Sequence, residues 1–579
     1  MGGMLIAMKS DHSAKTVHSA NAGDSHEQSL SGVLGMSGIR RRRFLGQLAG
    51  GGGALLAPGL LGLARAGETA GGARGLVFHD RDGSGRPNGG NPGVPGVAVS
   101  NGRDVVLTDG NGRWDLPVLD DSPSTDFFVI PGRGWTTPMN ADWTRRAHYT
   151  YHPQGSPDLH HAGFPASGPM PESVDFALRE EDQPDRFSVL VCGDPQPRDL
   201  REVDYLARTV PPDLSREEAA FAVALGDILF DDLAIFPQLR GALAASGLPW
   251  HYVIGNHDLN FDSKNHALSR ETYRHQVGPT TYSFDHGPVH FIVVDNVEWM
   301  GANPDNPLST GNYRGYVQER DLQFIANDLA HVPKDRLVVV FMHIPLYNPL
   351  SQGDRALTLN REKLCALLAD RPHTLSFSAH THWHLHTTVG AEEGWPGEGR
   401  HHHVISGTLC GSWFRGSPDF NQVPIAVMGD GTPRGYQRVE FEGNRYTIDG
   451  YKTLGGDKRS QMHLYIADEV SASAAAETPF HANVYAAGEK ARVRARIGGG
   501  DTWREMKRTS EPDPLFTSLA IRDADLELPW RPLPRPMDCP HLWRATLPEG
   551  LEPGSHTLEV EAEDGFGHVW RESRAFRVV

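Results

Sequence analysis

Cysteine is scarce in this 579-residue chain, and so are basic runs and long apolar stretches. The four cysteines, Cys192, Cys365, Cys410 and Cys539, form no CxxC pair. This favours buried free thiols over a disulfide scaffold. Acidic residues number 72 against 55 basic ones, and the formal net charge is -17. A nucleic-acid partner, whose phosphates need a basic surface, is therefore not expected.

No apolar run approaches the roughly 20 residues that a membrane span requires, so the sequence predicts no transmembrane segment. The chain is, however, long enough for several domains. A chain of this size exceeds what one hydrophobic core usually supports, and about two to four domains are expected.

The first 66 residues have the features of a leader followed by a signal peptide. Residues 1–38 lack periodicity and are expected to be disordered. A basic cluster, Arg40 to Arg43, precedes Phe44, Leu45 and a short apolar stretch that ends in small residues. The pattern resembles the twin-arginine signal, which exports folded proteins, and an ordinary Sec signal is the alternative. We therefore expect the twin-arginine export machinery as a partner and a periplasmic or secreted location in a bacterium.

Two flanking regions show the short, alternating apolar segments of β-sandwiches, at 75–178 and 455–579. The segment "TDGNGRWDLP" in the first region resembles Ig-like or prealbumin-like modules. Asp80, Asp82 and Ser84 have the oxygen ligands for a calcium ion, but Asx turns in a loop need the same residue types. Both interpretations stay open at this point.

The region 187–449 alternates apolar strands with amphipathic helices and is expected to have an α/β fold. Five of its strands end in residues of the type that binds metals. A strand that ends in Asp, Asn or His presents that side chain at the edge of the sheet, where a site can be built. The blocks are "GDPQ", "GDILFD", "GNHD", "MHIP" and "AHTH", which contain Asp194, Gln196, Asp227, Asp231, Asn256, His257, Asp258, His343, His380 and His382.

These ordered blocks resemble the calcineurin-like metallophosphoesterase superfamily over residues 189–436. The flanking regions resemble those of a bacterial branch of that superfamily. The resemblance implies a fold class of α/β (α+β), a central β-sandwich with flanking helices, together with N-terminal and C-terminal all-β sandwich domains. It also implies a metal-dependent phosphoric ester hydrolase, either a phosphatase or a phosphodiesterase, that holds two divalent metal ions.

By this resemblance one ion is bound by Asp194, Gln196, Asp227 and His382. The second is bound by Asp227, Asn256, His343 and His380, with Asp227 bridging the two. Gln196 replaces the usual His of the first block, and its amide oxygen is a harder ligand than an imidazole nitrogen. Mn, Fe or Mg is therefore favoured over Zn, although Zn is possible and a water molecule is an alternative to Gln196.

The implied mechanism uses a metal-activated hydroxide as the nucleophile and His257 as the general acid. Asp258 is expected to orient the His257 imidazole and to favour its charged form. Asp231 is expected to support its block from outside the ligand cluster. For Arg198, contact with a substrate phosphate and a solvated loop position are both open.

Several further residues extend the pattern around these blocks. The histidines His384, His386, His401, His402 and His403 are expected to be strand or rim residues because the metal positions are already filled, although alternation puts His384 on the face of His382. Trp413 and Tyr436 are candidates for an aromatic wall of the cleft, with core packing as the alternative.

The sequence does not identify the phosphate-ester substrate. A catalytically degenerate cell-surface binding protein, in which the two β domains do the work, is the competing function. Hydrolysis of another bond, such as an amide or a sulfate ester, is a third possibility.

Overall fold

The computed structural model describes residues 72–303, 311–457, 459–500, 502–524 and 526–579. The predicted leader and twin-arginine signal, residues 1–66, lie outside the described residues. Within the described part of the chain, no helix combines the length and apolar character that crossing a membrane requires.

The N-terminal region contains two four-stranded sheets around one core. Their orders are β4-β1-β8-β6 and β3-β2-β5-β7. Both sheets turn apolar residues such as Val77, Trp114 and Phe127 inward. The strands are β1 (Gly72–His79), β2 (Ala98–Ser100), β3 (Val105–Leu107), β4 (Arg113–Pro117), β5 (Thr125–Ile130), β6 (Trp135–Thr136), β7 (His148–Tyr151) and β8 (Phe176–Glu180).

The predicted calcium candidates lie in the loop after β1, where protein groups already contact their carboxylates. Asp80 accepts hydrogen bonds from the Gly85 amide and the Arg179 guanidinium. Both carboxylate oxygens of Asp82 accept side-chain amide hydrogen bonds, from Asn88 and Asn91. These contacts favour the turn interpretation over a calcium site.

The central region contains two six-stranded sheets packed face to face. One has the order β11-β10-β9-β20-β21 with β22 paired to β20, and the other has the order β12-β13-β16-β17-β19-β18. The strands are β9 (Arg186–Cys192), β10 (Phe221–Ala224), β11 (Trp250–Tyr252), β12 (Tyr282–His286), β13 (Val289–Val293), β14 (Val297–Trp299), β15 (Tyr313–Gly315), β16 (Val338–Phe341), β17 (Thr374–Ser378), β18 (Leu385–Val389), β19 (His401–Ile405), β20 (Gly435–Glu442), β21 (Arg445–Ile448) and β22 (Lys452–Thr453).

Helices cover the outer faces of both sheets. The helices are α1 (Leu200–Leu214), α2 (Phe236–Ala244), α3 (Glu271–Gln276), α4 (Glu319–Leu329) and α5 (Arg361–Leu368). α1 and α2 pack on the first sheet through Leu206 and Leu239, and α4 and α5 pack on the second through Phe324 and Leu364. Strands buried on both sides read as continuous apolar runs, which is why "VLVC" and "VVVF" carry no polar alternation. The predicted mixed α/β sheets are confirmed.

The C-terminal region is rich in β-structure, as predicted. Its sheets have the orders β23-β25-β29-β28 and β24-β31-β30-β26-β27 and share one apolar core. The elements are β23 (Met462–Tyr465), β24 (Glu469–Val470), β25 (Pro479–Val484), β26 (Arg492–Ile497), β27 (Arg504–Glu505), β28 (Lys507–Thr509), α6 (Pro514–Ala524), β29 (Leu542–Thr546), β30 (Gly554–Glu563) and β31 (Val569–Val578).

All four cysteines are buried and free, which confirms that prediction. Cys192 lies at the end of β9, and burial raises the pKa of its thiol above the ordinary range. A buried neutral thiol behaves as a small apolar group.

Candidate metal centre

The predicted ligands follow five strands that run parallel within their sheets. β9, β10 and β11 are parallel neighbours in the first sheet, and β16 and β17 are parallel neighbours in the second. Parallel strands end at the same edge, so the side chains that follow them come together there. Asp194, Asp227 and Asn256 come from the first sheet, and His343 and His380 come from the second.

Two glycines allow the strand ends to approach one another closely. A Cβ atom at Gly226 would lie 2.4 Å from the His343 ring, and one at Gly255 would lie 2.0 Å from the Asp227 backbone nitrogen. Neither position leaves room for a side chain.

The backbone at the site is left-handed at several residues that are not glycine. Six of the eleven described non-glycine residues with positive φ are predicted site residues, and their φ values run from 23° to 70°. They are Asp194, Gln196, Asp227, Asp231, His380 and His382. Non-glycine residues avoid this region, so the surrounding contacts hold these side chains in place at a conformational cost.

Four lone pairs converge around His343. Its Nε2 lies 3.2 Å from Asp227 Oδ1, 3.1 Å from Asn256 Oδ1 and 3.1 Å from His380 Nδ1. The ligand atoms of Asp227, His343 and His380 all lie within 4.8 Å of one another.

Backbone carbonyls determine which ring nitrogens carry protons in this group. His343 Nδ1 donates to Leu225 O at 2.8 Å, and His380 Nε2 donates to Arg355 O at 2.9 Å. When the rings are neutral, as metal binding requires, the other nitrogen of each is an acceptor directed at the carboxylate and amide oxygens. Acceptors that face acceptors need a cation between them.

A second group of acceptors lies at Asp194 and His382. His382 Nδ1 donates to Gly411 O at 2.5 Å, so its Nε2 lone pair faces Asp194 Oδ2 at 3.2 Å. Asp194 is fully buried, and none of the described residues donates a hydrogen bond to its Oδ2. A buried carboxylate oxygen without a donor is costly unless it binds a cation.

The Asp227 carboxylate favours a positive charge at His343. Burial lowers the pKa of His343, but the Asp227 carboxylate more than offsets that effect and raises the pKa to about 9. The carboxylate therefore requires a nearby positive charge, which a proton or a divalent cation can supply. Buried carboxylates, an amide oxygen and imidazoles form a donor set that fits divalent metal ions.

Gln196 lies in the same cluster in a different orientation from the one predicted. Its Nε2 donates to Asp227 Oδ2 at 3.1 Å, and its Oε1 lies 3.8 Å from the Sγ atom of Cys410. The amide would have to rotate to offer its oxygen to a metal. In the observed orientation it supports Asp227, and the predicted ligand role stays a prediction.

The partner of His257 is Asp231, and the predicted orienting role of Asp258 is wrong. His257 Nδ1 lies 2.5 Å from Asp231 Oδ1. Asp258 is buried and accepts three backbone hydrogen bonds, from Ile228, Leu229 and Gly255 at 2.8 to 3.0 Å. Through these three hydrogen bonds, the Asp258 carboxylate connects the loops that carry Asp227 and Asn256.

The carboxylates around His257 favour its charged form. Burial lowers its pKa, but Asp231 and Asp227 outweigh burial and raise it to about 8. Its Nε2 is 4.0 Å from Asp227 Oδ2, so the ring edge faces the ligand cluster. The Phe230 ring stacks on the imidazole with centroids 4.5 Å apart.

The two predicted aromatic wall residues have different positions. Trp413 packs on the His382 ring with centroids 4.0 Å apart and is partly exposed. Tyr436 is buried in the core, and its hydroxyl donates to Glu217 at 2.9 Å. Trp413 is therefore at the metal centre, whereas Tyr436 is a packing residue.

The additional histidines lie away from the ligand cluster. His386 is in β18, and His401, His402 and His403 are in β19. His384 immediately precedes β18, and its Nδ1 accepts from the Gly407 amide at 3.2 Å. His382 lies outside any strand, so strand alternation does not relate it to His384.

Three residues near the site belong to none of the five sequence blocks. Cys410 Sγ lies 3.9 Å from His382 Nδ1. Glu202 in α1 accepts the Arg198 amide and a hydrogen bond from Arg531, a residue of the C-terminal region. Arg531 also donates to the Trp413 carbonyl at 2.6 Å. No local spacing relates residues 202 and 531, so only the fold brings them together.

Two family models match the central and C-terminal regions. Residues 187–384 match the family model of the calcineurin-like phosphoesterase, and residues 403–570 match the model of the C terminal of calcineurin-like phosphoesterase. No curated protein matches the chain. A solved purple acid phosphatase from yellow lupin (Lupinus luteus) seeds is similar, with 12% identity, a TM-score of 0.34, and coverage of 62% of this chain and 71% of that chain. This chain therefore contains a calcineurin-like phosphoesterase domain followed by the C-terminal region of that family.

Proposed function

We propose that this protein is an exported, dinuclear-metal phosphoesterase that hydrolyses phosphate monoesters or diesters. The observation that carries the proposal is the convergence of Asp194, Asp227, Asn256, His343 and His380 at one edge of the two sheets, where the Asp194 Oδ2 atom is buried and accepts no hydrogen bond from the described residues. A protein that only bound a surface would gain nothing from this costly arrangement.

One ion would be held by Asp194, Asp227 and His382, with Gln196 if its amide rotates. The second would be held by Asp227, Asn256, His343 and His380. When bound, divalent ions supply Lewis acidity toward the phosphoryl oxygens and lower the pKa of coordinated water. The Gln196 amide favours Mn, Fe or Mg over Zn.

The residues of the chain supply the proton for the leaving group. In the hydrolysis of an ester, the bond between phosphorus and the leaving oxygen breaks, and a bond from phosphorus to a water oxygen forms. Asp231 accepts from Nδ1 of His257, so the ring presents its Nε2 proton to the cluster. That proton passes to the leaving oxygen, and a proton of the attacking water restores the ring.

The export part of the proposal rests on the Arg41, Arg42, Phe44 and Leu45 pattern alone. It implies loading of metal and folding before passage through the twin-arginine machinery into the periplasm or beyond. Replacing Arg41 and Arg42 with lysine and fractionating the cells would test it. Unchanged export of that variant would contradict the twin-arginine route.

The enzymatic proposal is tested by assaying the metal-loaded chain, with Mn, Fe, Mg or Zn, on 4-nitrophenyl phosphate and bis(4-nitrophenyl) phosphate. Release of 4-nitrophenol with at least one metal, lost after chelation and restored by metal, is expected. Release from amide or sulfate analogues without release from either phosphate would contradict it.

A further inference from the structure

A cavity of about 80 Å³ lies where the N-terminal region covers one edge of the two central sheets. Most of its lining comes from residues 128–148 and from β11 and β12, which are edge strands of those sheets. The Trp143 carbonyl accepts the Trp250 amide of β11, and the Pro131 carbonyl accepts the Asp285 amide of β12. Because one water molecule needs about 10 to 15 Å³ of such space, the cavity has room for roughly five to eight waters or for one small ring. The candidate metal ligands do not line it.

Aromatic residues make up much of the apolar lining. The His251 ring stacks on Phe284 with centroids 3.9 Å apart and planes 7° from parallel, and the Tyr282 ring lies 6.2 Å from the same imidazole. Trp135 and Trp250 also line the cavity. Flat rings of this kind make favourable contacts with another planar ring. The apolar lining therefore favours an aromatic ligand.

The described lining carries one positive charge, that of Arg145. It also includes His148, His251 and His286. Burial lowers the pKa of all three imidazoles, to about 4 for His286, so these rings are neutral at pH 7. An anionic ligand in this cavity would therefore be recognised by one guanidinium.

The Arg145 guanidinium has few partners in the fold. Its Nη1 donates to the Thr136 hydroxyl, and no carboxylate of the described residues forms an ion pair with it. Glu181, which also lines the cavity, accepts from Gln183 at 2.8 Å and lies 3.8 Å from Nδ1 of His286. Burial lowers the pKa of Arg145, and the charge of Glu181 opposes that effect. A guanidinium has several N–H donors in a planar fork that matches the two oxygens of a carboxylate.

Two buried hydroxyls of the lining add further donors. Thr137 is 1% exposed and Ser283 is 2% exposed, and neither hydroxyl has a hydrogen-bond partner among the described residues. Burying a hydroxyl without a partner is costly. Asp285, the second acid of the lining, already forms ion pairs with His290 and Arg336. The polar part of the cavity therefore offers chiefly donors, which suits an anionic oxygen group.

We propose that this cavity binds a small aromatic carboxylate with one ring. The carboxylate contacts the Arg145 guanidinium, and the ring packs against the aromatic residues around His251 and Phe284. One guanidinium fork matches one carboxylate, whereas a phosphate dianion would need a second cation, which the described lining does not contain. Binding here does not depend on phosphoesterase activity, because the candidate metal ligands lie elsewhere.

Ligand-observed NMR titrations of the full chain with benzoate, benzamide and cyclohexanecarboxylate test the proposal. Benzoate should bind with a dissociation constant below about 1 mM, which is reasonable for a ligand of nine heavy atoms. Benzamide keeps the ring without the charge and should bind about 10- to 100-fold more weakly, the size of a charge-assisted hydrogen bond. Cyclohexanecarboxylate keeps the charge without the planar ring and should also bind more weakly than benzoate.

Arg145→Gln should lower the affinity for benzoate to that for benzamide. The matched control is Arg146→Gln, because Arg146 is the next residue, carries the same charge and is exposed; it should bind benzoate normally. Arg145→Lys keeps the charge without the planar fork, should give an intermediate affinity, and serves if the glutamine variant does not fold. Since a carboxylate can also bind a metal ion, the benzoate titration is repeated after chelation, which should leave the affinity unchanged.

Equal affinities for benzoate and benzamide would overturn the proposal. An affinity for benzoate that survives Arg145→Gln, or that is lost on chelation, would overturn it as well, because binding would then occur elsewhere on the protein. If none of the three compounds binds, the cavity holds ordered water only and the proposal fails.

Discussion

Nδ1 of His257 lies 2.5 Å from Oδ1 of Asp231, four residues beyond Asp227. The neighbouring carboxylate of Asp258 accepts only backbone hydrogen bonds. The two carboxylates near His257 therefore have separate contacts. Asp231 contacts the His257 imidazole, and Asp258 connects the loops that carry Asp227 and Asn256.

Asp231→Asn should reduce kcat most for esters with poor leaving groups. The amide cannot support a charged imidazolium, so proton donation becomes less effective, by about 10- to 100-fold. 4-Nitrophenyl esters leave without much help and should be affected less. Comparing alkyl and 4-nitrophenyl phosphates measures the difference.

Asp258→Asn is the matched variant for that experiment. It replaces an acceptor of three backbone hydrogen bonds, and each lost bond costs about 1 kcal/mol or more. A lower unfolding temperature is expected, with similar losses on good and poor leaving groups. If Asp258→Asn instead lowered kcat only for esters with poor leaving groups and kept normal stability, Asp258 would orient the imidazole after all.

Asp227→Ala should remove bound metal from the purified protein. Its two oxygens face His343 on one side and Gln196 on the other, so both groups of ligands lose their shared carboxylate. His257→Ala is the control, because His257 lies at the rim of the ligand cluster and should leave the metal content unchanged. Elemental analysis of both variants gives the answer, and a full metal complement in Asp227→Ala would exclude the bridging role.

His290 should make stability depend on pH in the alkaline range. Both ring nitrogens contact carboxylates, Asp285 at 2.8 Å and Asp328 at 2.9 Å. Burial lowers its pKa, but the two carboxylates raise it to about 9. Because the folded pKa exceeds the unfolded one, this stabilisation is complete below about pH 6.5 and is lost as pH rises through 9.

His290→Gln removes that contribution. The difference in unfolding free energy from the unmodified chain should be on the order of 2 to 3 kcal/mol larger at pH 6 than at pH 10. Denaturant titrations at both pH values measure it. The exposed His331→Gln is the control, and an equal difference at both pH values would show that His290 is not charged in the fold.

Arg531→Gln should loosen the segment that carries Trp413, although Arg531 itself lies in the C-terminal region. The side chain connects Glu202 in α1 with the carbonyl of Trp413, whose ring packs on His382. Hydrogen exchange in residues 408–416 should rise and kcat/KM should fall several-fold. The exposed Arg535→Gln removes the same charge from the same segment; if it behaves identically, the cause is overall charge.

The convergence of Asp194, Asp227, Asn256, His343 and His380 could be predicted from the sequence because each of them follows an apolar strand closely. Parallel strands bring such residues to one edge whatever the details of packing. The contacts of Asp231, Arg198 and Arg531 could not be predicted. They depend on the angle at which a loop leaves its strand and on contacts across more than 300 residues, and neither leaves a local pattern.

The contacts of Asp258 could not be predicted from its position next to His257 either. Adjacent residues in a turn point in different directions, and here the turn directs Asp258 toward the amides of residues 228 and 229. A motif states which residue types are needed but not which one contacts which.

The left-handed backbone at the candidate ligands means that a screen for thermal stability alone could select variants without activity. A non-glycine residue in that conformation costs roughly 1 kcal/mol or more, and glycine relieves the cost. A library screened only for survival at high temperature would collect glycine at positions such as Asp227 and His380. The survivors would fold well and catalyse nothing, so thermal screening of this chain has to include an activity assay.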